Sequence, residues 1–351
     1  LWLTIFAKAP EITLFDYRQM KRPIDQLPAP PWKDEPTTFR YAELMRPLSG
    51  EAGGARPALT AARAAGYALE IVDGIAGRLG LPQGLQAYKP LHSVGEDFLH
   101  NYLGMIGIPM DLVPDFPTSP QTVLLTEASA RDPEIMELIK RRLLDGKRVI
   151  VTSGLLRELG TSLDDVVELR YTDRKALVQD YVVPWGRLIR GTHPVLIPQI
   201  QYLTNDSWEE VFAVSGPNGF PLLHSADYAD GKLLVLTIPD NFADLYRLPE
   251  EVLNRIRAVL AEDHWLRLEG PASVALFLYA NGTAVVESFR DEAVRVKLVL
   301  GADKGTLRDL ISGEEIAWTE RRRPIFGAEP AFERVFELEL PPHSFRALEK
   351  P

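Results

Sequence analysis

The chain has 351 residues, 46% of them hydrophobic and 25% charged, which suits two or three globular domains rather than one core. Its formal net charge of -10 at pH 7 argues against nucleic acid as a partner, and no apolar run reaches the ~18–20 residues of a membrane-spanning helix. Cysteine is absent, which excludes disulfides, thiolate metal sites and cysteine nucleophiles and leaves the compartment open.

Leu1–Ala9 reads as the end of a helix that Pro10 interrupts, so the chain is expected to be a piece of a longer protein. Ile12–Phe15 reads as a short apolar strand followed by the polar quartet Asp16-Tyr17-Arg18-Gln19. Residues 21–36 are proline-rich and form a loop. Ala61, Ala64, Ala68, Ile71, Val72 and Ile75 recur at helical spacing within a helix over 57–80.

From residue 85 strands and helices alternate: strand 85–88, helix 94–106, strand 110–113, strand 122–126, helix 133–144 and strand 148–152. That order predicts a parallel sheet with helices on both faces. A less regular stretch over 160–230 precedes a buried strand at 232–238 and a helix at 249–261 with Glu250 and Glu251 in its first turn. Beyond about 268 the period drops to two. Asn281-Gly282 marks a hairpin between strands at 274–279 and 283–289, and further strands complete an antiparallel β module.

Candidate chemistry concentrates in two places. His92, Glu96 and His100 are spaced four apart, a pattern that could hold zinc or pair a base with its orienting group. The same stretch also fits a helix start, with Ser93 as the cap and Glu96 reaching back in a capping box, which accounts for its spacing without any ligand. Lys89 and His92 then remain as a possible pocket loop at the carboxyl edge of a parallel strand. The second place is Asp16-Tyr17-Arg18, charges and an aromatic just beyond a strand, where either a substrate-facing site or a solvated loop is consistent. Thr152-Ser153-Gly154 lacks the frame of a nucleophile elbow and reads as a strand-to-helix turn. No metal or cofactor is expected.

Several strings resemble the C-terminal half of glycoside hydrolase family 42, the β-galactosidases. Lys8–Gln19 resembles the family's segment into the eighth barrel strand, with Tyr17 as the aromatic before Arg18-Gln19. Tyr102–Val113, Lys147–Leu156 and Gly231–Pro239 resemble its trimerisation domain, and Leu307–Gly313 with Leu338–Arg346 resembles its terminal β domain. The resemblance implies an α/β fold in three pieces: a (β/α)8-barrel remnant over 1–84, a flavodoxin-like domain related to class I glutamine amidotransferases over 85–266, and an antiparallel β-sandwich over 267–351. It further implies a carbohydrate substrate, assembly as a homotrimer, and retaining hydrolysis by two carboxylates roughly 5–5.5 Å apart. Those carboxylates would precede residue 1, so no catalytic residue is assigned here. Tyr17, with Asp16 and Arg18, would line the sugar site, although an acidic residue at 16 departs from the family pattern. A non-catalytic assembly or carbohydrate-binding protein is the alternative.

Overall fold

The computed structural model describes residues 1–14, 16–23, 30–35, 37–38, 40, 44, 60–91, 95–184, 186–202, 207–301, 305–323 and 331–351. Its contacts divide the chain into two compact units. One comprises Leu1–Gln83, Leu276–Lys297 and Ala302–Pro351; the other comprises Gly84–Ala275 and Leu298–Gly301.

The first unit opens with helix α1 (Trp2–Phe6), the single turn α2 (Tyr17–Met20), helix α3 (Ala61–Ala76) and a two-residue strand β1 (Pro82–Gln83). Thr60 caps α3 by accepting a hydrogen bond from the Arg63 amide at 3.2 Å, and Ala68, Val72 and Ile75 form its buried stripe. The Trp2 indole donates to the Ala68 carbonyl at 2.8 Å, which holds α1 against α3. Residues 11–14 are not a strand: they pair with no strand among the described residues, and an apolar run without a ladder partner does not form one.

The second unit is built on a nine-stranded sheet. Its parallel part alternates β2 (Leu85–Tyr88), α4 (Leu99–Met105), β3 (Met110–Val113), β4 (Thr122–Leu125), α5 (Ile135–Leu144), β5 (Arg148–Thr152) and α6 (Ser153–Leu159). Next come β6 (Leu169–Val182), β7 (Leu188–Tyr202), β8 (Ser207–Ser215), β9 (Asn218–Tyr228), β10 (Gly231–Leu236), α7 (Glu250–Leu260) and β11 (Leu266–Glu269). The sheet order is β3-β2-β4-β5-β10-β9-β8-β6-β7, with β11 outside it. β3, β2, β4, β5 and β10 run parallel, and β9, β8, β6 and β7 continue the sheet by antiparallel pairing.

Alternate residues of the parallel strands feed two cores. Leu85, Ala87, Leu124, Ile150 and Leu234 pack with Leu99 and Leu103 of α4 and with Val252, Leu253 and Ile256 of α7. Val123, Leu125, Val149, Val151 and Leu233 pack with Ile135, Ile139 and Leu143 of α5 and with Leu155 of α6. Burying one such side chain contributes about 1.5–3 kcal/mol, so strands apolar on both faces hold the centre of the sheet.

The stretch 160–230 is thus not irregular: it supplies four long antiparallel strands. Pro194 and Pro198 lie within β7, which tolerates them because β7 is the sheet edge. The register of β6 against β7 shifts between Tyr171 and Lys175 and again between Val178 and Asp180, which interrupts the alternation a strand normally shows.

The remaining strands are antiparallel and belong to the first unit except for the first two residues of β12 and the last three of β14: β12 (Val274–Tyr279), β13 (Thr283–Ser288), β14 (Val294–Leu300), β15 (Arg308–Asp309), β16 (Trp318–Arg323), β17 (Ala331–Leu340) and β18 (Phe345–Glu349). One sheet has the order β1-β12-β13-β18-β15, and β14, β17 and β16 lie side by side in another. The five-stranded sheet shares a core with the N-terminal helices: Trp2, Phe6, Val72 and Ile75 pack on Tyr279, Val285 and Phe345. The Tyr279 hydroxyl donates to the Phe6 carbonyl at 2.7 Å, and the Phe6 and Phe345 rings meet edge-on at 5.0 Å.

Candidate functional site

In a parallel sheet every strand delivers its following loop to the same edge. In the second unit four such loops converge. After β2 the chain reaches Glu96, which is 5% exposed; its Oε2 accepts from the Thr152 hydroxyl at 2.6 Å and from the Glu127 amide at 2.8 Å. Thr152 ends β5, and its hydroxyl oxygen also accepts from the Leu155 amide at 3.2 Å, capping α6. Ser153 Oγ accepts from the Ile238 amide at 2.9 Å, which ties in the end of β10.

Glu96 therefore does not work as a capping-box residue. Helix α4 begins at Leu99 without a side-chain cap, so residues 96 and 100 share no helical face. His92 and Ser93 lie outside the described residues. His100 is buried in α4, and burial lowers its pKa. Burial raises the pKa of Glu96, opposed by its hydrogen bonds from Thr152 and the Glu127 amide.

Gly154 shows how tightly this carboxylate is held. A Cβ there would lie 2.3 Å from Glu96 Oε1, closer than any van der Waals contact allows. Gly154→Ala is expected to displace Glu96 and destabilise the chain by about 1–3 kcal/mol, read as a lower urea midpoint; an unchanged midpoint would show that the carboxylate can move freely.

Beside this cross-link lies a cavity of about 370 Å³. Glu127, Arg157, Tyr171, Lys175, Asp240 and Phe242 line its sides, and Gly95, Glu96, Ser153 and Gly154 its parallel-strand end. Arg157 Nη2 lies 3.0 Å from Glu127 Oε1, and the guanidinium stands 5.8 Å from the centre of the Tyr171 ring. Lys175 pairs with Asp240. The side chains that meet here come from α6, from β6 and from the loops after β4 and β10, none of which stood out in the sequence. The available signal was positional: Glu127 and Asp240 each follow closely on an apolar strand of the parallel set.

Of the residues singled out in sequence, Lys89 pairs with Asp97 at 2.8 Å, and it is Gly95 and Glu96 of the same loop that reach the cavity. Asp16, Tyr17 and Arg18 belong to the first unit. Asp16 has φ 64° and caps α2, accepting from the Arg18 amide at 3.0 Å and the Gln19 amide at 3.3 Å. Tyr17 is 70% exposed, with the Lys21 ammonium 4.2 Å from its ring centre.

The first unit has its own cavity of about 520 Å³, lined in part by Trp2, Leu14, Trp32, Glu287, Phe289 and His343. It reaches Leu14 of the N-terminal segment but not Asp16, Tyr17 or Arg18. Glu287 is 4% exposed, its Oε2 has no hydrogen-bond partner among the described residues, and burial pushes its pKa up to about 8.

Three sequence families match the chain in succession. Residues 1–78 match the catalytic domain of a probable glycosyl hydrolase, and residues 265–350 match the C-terminal domain of a probable glycosyl hydrolase. Both ends of the chain are thus similar to glycosyl hydrolase domains. Between them, residues 77–241 match the second domain of the uncharacterized protein SSO3021. No curated protein matches the chain. Among solved structures, Gan42B, a GH42 β-galactosidase from G. stearothermophilus, aligns at 13% identity and a TM-score of 0.48, over 82% of this chain and 44% of its own. The β-galactosidase from Bacillus circulans sp. alkalophilus aligns at 14% and 0.46, over 82% and 45%. The α-L-fucosidase isoenzyme 2 from Paenibacillus thiaminolyticus aligns at 14% and 0.49, over 85% and 54%. The chain spans about half the length of these proteins.

Proposed function

We propose that this chain is the C-terminal region of a β-galactosidase-like retaining glycoside hydrolase acting on a carbohydrate substrate. The observation that carries the reading is the succession of matches, a glycosyl hydrolase catalytic domain at the start and a glycosyl hydrolase C-terminal domain at the end. In this reading residues 1–84 are the end of a (β/α)8 barrel, 85–266 a flavodoxin-like, amidotransferase-like trimerisation domain, and 267–351 a β-sandwich. The acid/base and nucleophile carboxylates lie upstream of Leu1, and Tyr17, Asp16 and Arg18 line the sugar site from the barrel side, with the loop of Lys89 and His92 at the edge of the middle domain. Tyr17 is the strongest of these, since an exposed ring is suited to stack on a sugar face.

The test is an N-terminally extended protein assayed on aryl β-galactosides and aryl α-L-fucosides. Hydrolysis is expected from the extended protein and not from the 351-residue chain. Tyr17→Ala in the extended protein should raise KM by about tenfold, equivalent to roughly 1.4 kcal/mol of lost binding. An extended protein that hydrolyses no aryl glycoside would instead favour a non-catalytic assembly or carbohydrate-binding role.

A further inference from the structure

The cavity of the second unit sits where the chain path of the parallel sheet divides. β2 leads through α4 to β3 on one side of it, while β4 leads through α5 to β5 on the other. α4 packs on one face of the sheet and α5 on the opposite face. The loops after β2 and β4 therefore diverge, and the crevice between such loops is where open α/β sheets take their ligands. Glu96 and Glu127 stand on these two loops, and the cavity extends from them toward the end of β10.

Its contents narrow the ligand class. Two ion pairs line it, Arg157 with Glu127 and Lys175 with Asp240, and each supplies a donor cation next to an acceptor carboxylate. Each pair cancels its own charge, and the remaining carboxylate of the lining, Glu96, is engaged by the Thr152 hydroxyl and the Glu127 amide, so the walls offer a free anion no unpaired cation. A ring hydroxyl satisfies both members of such a pair, donating its proton to the carboxylate and accepting from the guanidinium or ammonium. Tyr171 and Phe242 add aromatic surface between the polar groups, on which the C–H face of a pyranose can rest. A cavity of about 370 Å³ lies at the small end of the ~300–1,000 Å³ range for ligand pockets, which suits one ring rather than a chain.

We propose that this cavity binds a single neutral sugar, at a site formed entirely within the α/β unit. The proposal goes beyond the hydrolase reading, because it concerns binding by the 351-residue chain itself and needs no upstream residues. Its failure is accordingly distinct from a failure of hydrolysis.

The test is calorimetric or saturation-transfer titration of the 351-residue chain with D-galactose, D-glucose and L-fucose, and separately with inorganic phosphate. Saturable binding of at least one sugar is expected in the ~0.1–10 mM range, with phosphate binding at least about tenfold weaker. Asp240→Asn and Arg157→Gln, each removing one member of a pair, should weaken the sugar by about tenfold or more, while Arg187→Gln, on an exposed side chain outside the cavity lining, should not. Circular dichroism melts establish that each variant is folded, and Lys175→Gln, on a half-exposed side chain, substitutes for any that is not. Absence of sugar binding up to ~100 mM, tighter binding of phosphate than of sugar, or sugar binding unaffected by all three cavity substitutions would each overturn the proposal.

Discussion

Arg257→Ala is expected to destabilise the α/β unit by about 3–5 kcal/mol, because it leaves several buried acceptors without donors and removes a large buried side chain. Arg257 is fully buried on the inner stripe of α7. Its guanidinium donates to the Ile106 carbonyl, to Asn254 Oδ1 at 2.8 Å, to the Gly270 carbonyl at 2.6 Å and to the Pro271 carbonyl at 3.0 Å. Those acceptors come from the end of α4, from α7 itself and from the turn after β11, so one side chain joins three segments far apart in sequence. Burial pushes the guanidinium pKa down to about 10, opposed by Glu250 and Glu269, and the group stays charged at pH 7. Its removal leaves buried carbonyls without donors at about 1–3 kcal/mol each, plus a void. Arg257→Lys offers three donors from a single point and cannot span the fork, so it should recover less than half of the loss. The measurement is the urea midpoint followed by tryptophan fluorescence and far-UV circular dichroism together. A loss under 1 kcal/mol for the alanine variant would mean that these carbonyls find water instead.

Arg257 also shows what the sequence could reveal and what it could not. Its position was legible: Leu253, Ile256, Arg257 and Leu260 fall on one helical face, which marks Arg257 as a polar residue at a core position. Three of its four partners were not, because they are 13 to 151 residues away and are backbone carbonyls, which carry no side-chain signature. Glu96 misled for the same reason. Its spacing from Ser93 suits a helix cap, but contacts with Glu127 and Thr152, 31 and 56 residues on, decide where the carboxylate goes. The central strands β4, β5 and β10 were readable because burial on both faces writes a continuous apolar run. The β6–β9 region was not, since prolines at the edge, register shifts and half-exposed faces erase both the run and the alternation. The cavity drew two of its charged side chains, Arg157 and Lys175, from α6 and β6, and only folding sets them opposite Glu127 and Asp240.

Glu287 carries the second large effect, and its sign is set by burial. It lies in β13, all six of whose residues are buried, and its pKa of about 8 stands well above the ordinary 4.5 of a glutamate. Below about pH 4 the carboxyl is protonated in folded and unfolded chains alike, and the raised folded pKa contributes its full stabilisation. Between about pH 4.5 and 8 the unfolded chain has lost the proton that the folded chain keeps, so stability falls by up to ~1.4 kcal/mol per pH step. Above pH 8 the folded chain must ionise a buried carboxylate, and the loss levels off at up to about 4–5 kcal/mol. Glu287→Gln keeps the shape and removes the titration. It should therefore match the parent near pH 4.5, exceed it increasingly up to about pH 8 and keep a constant advantage beyond, measured as urea midpoints at half-unit pH intervals. The difference between the two curves reports Glu287 together with its coupling to the Leu1 amino group, whose charge opposes the upward shift. Parallel curves would show that this carboxyl has a partner or water in the cavity beside Trp2 and Trp32, and that its burial costs little.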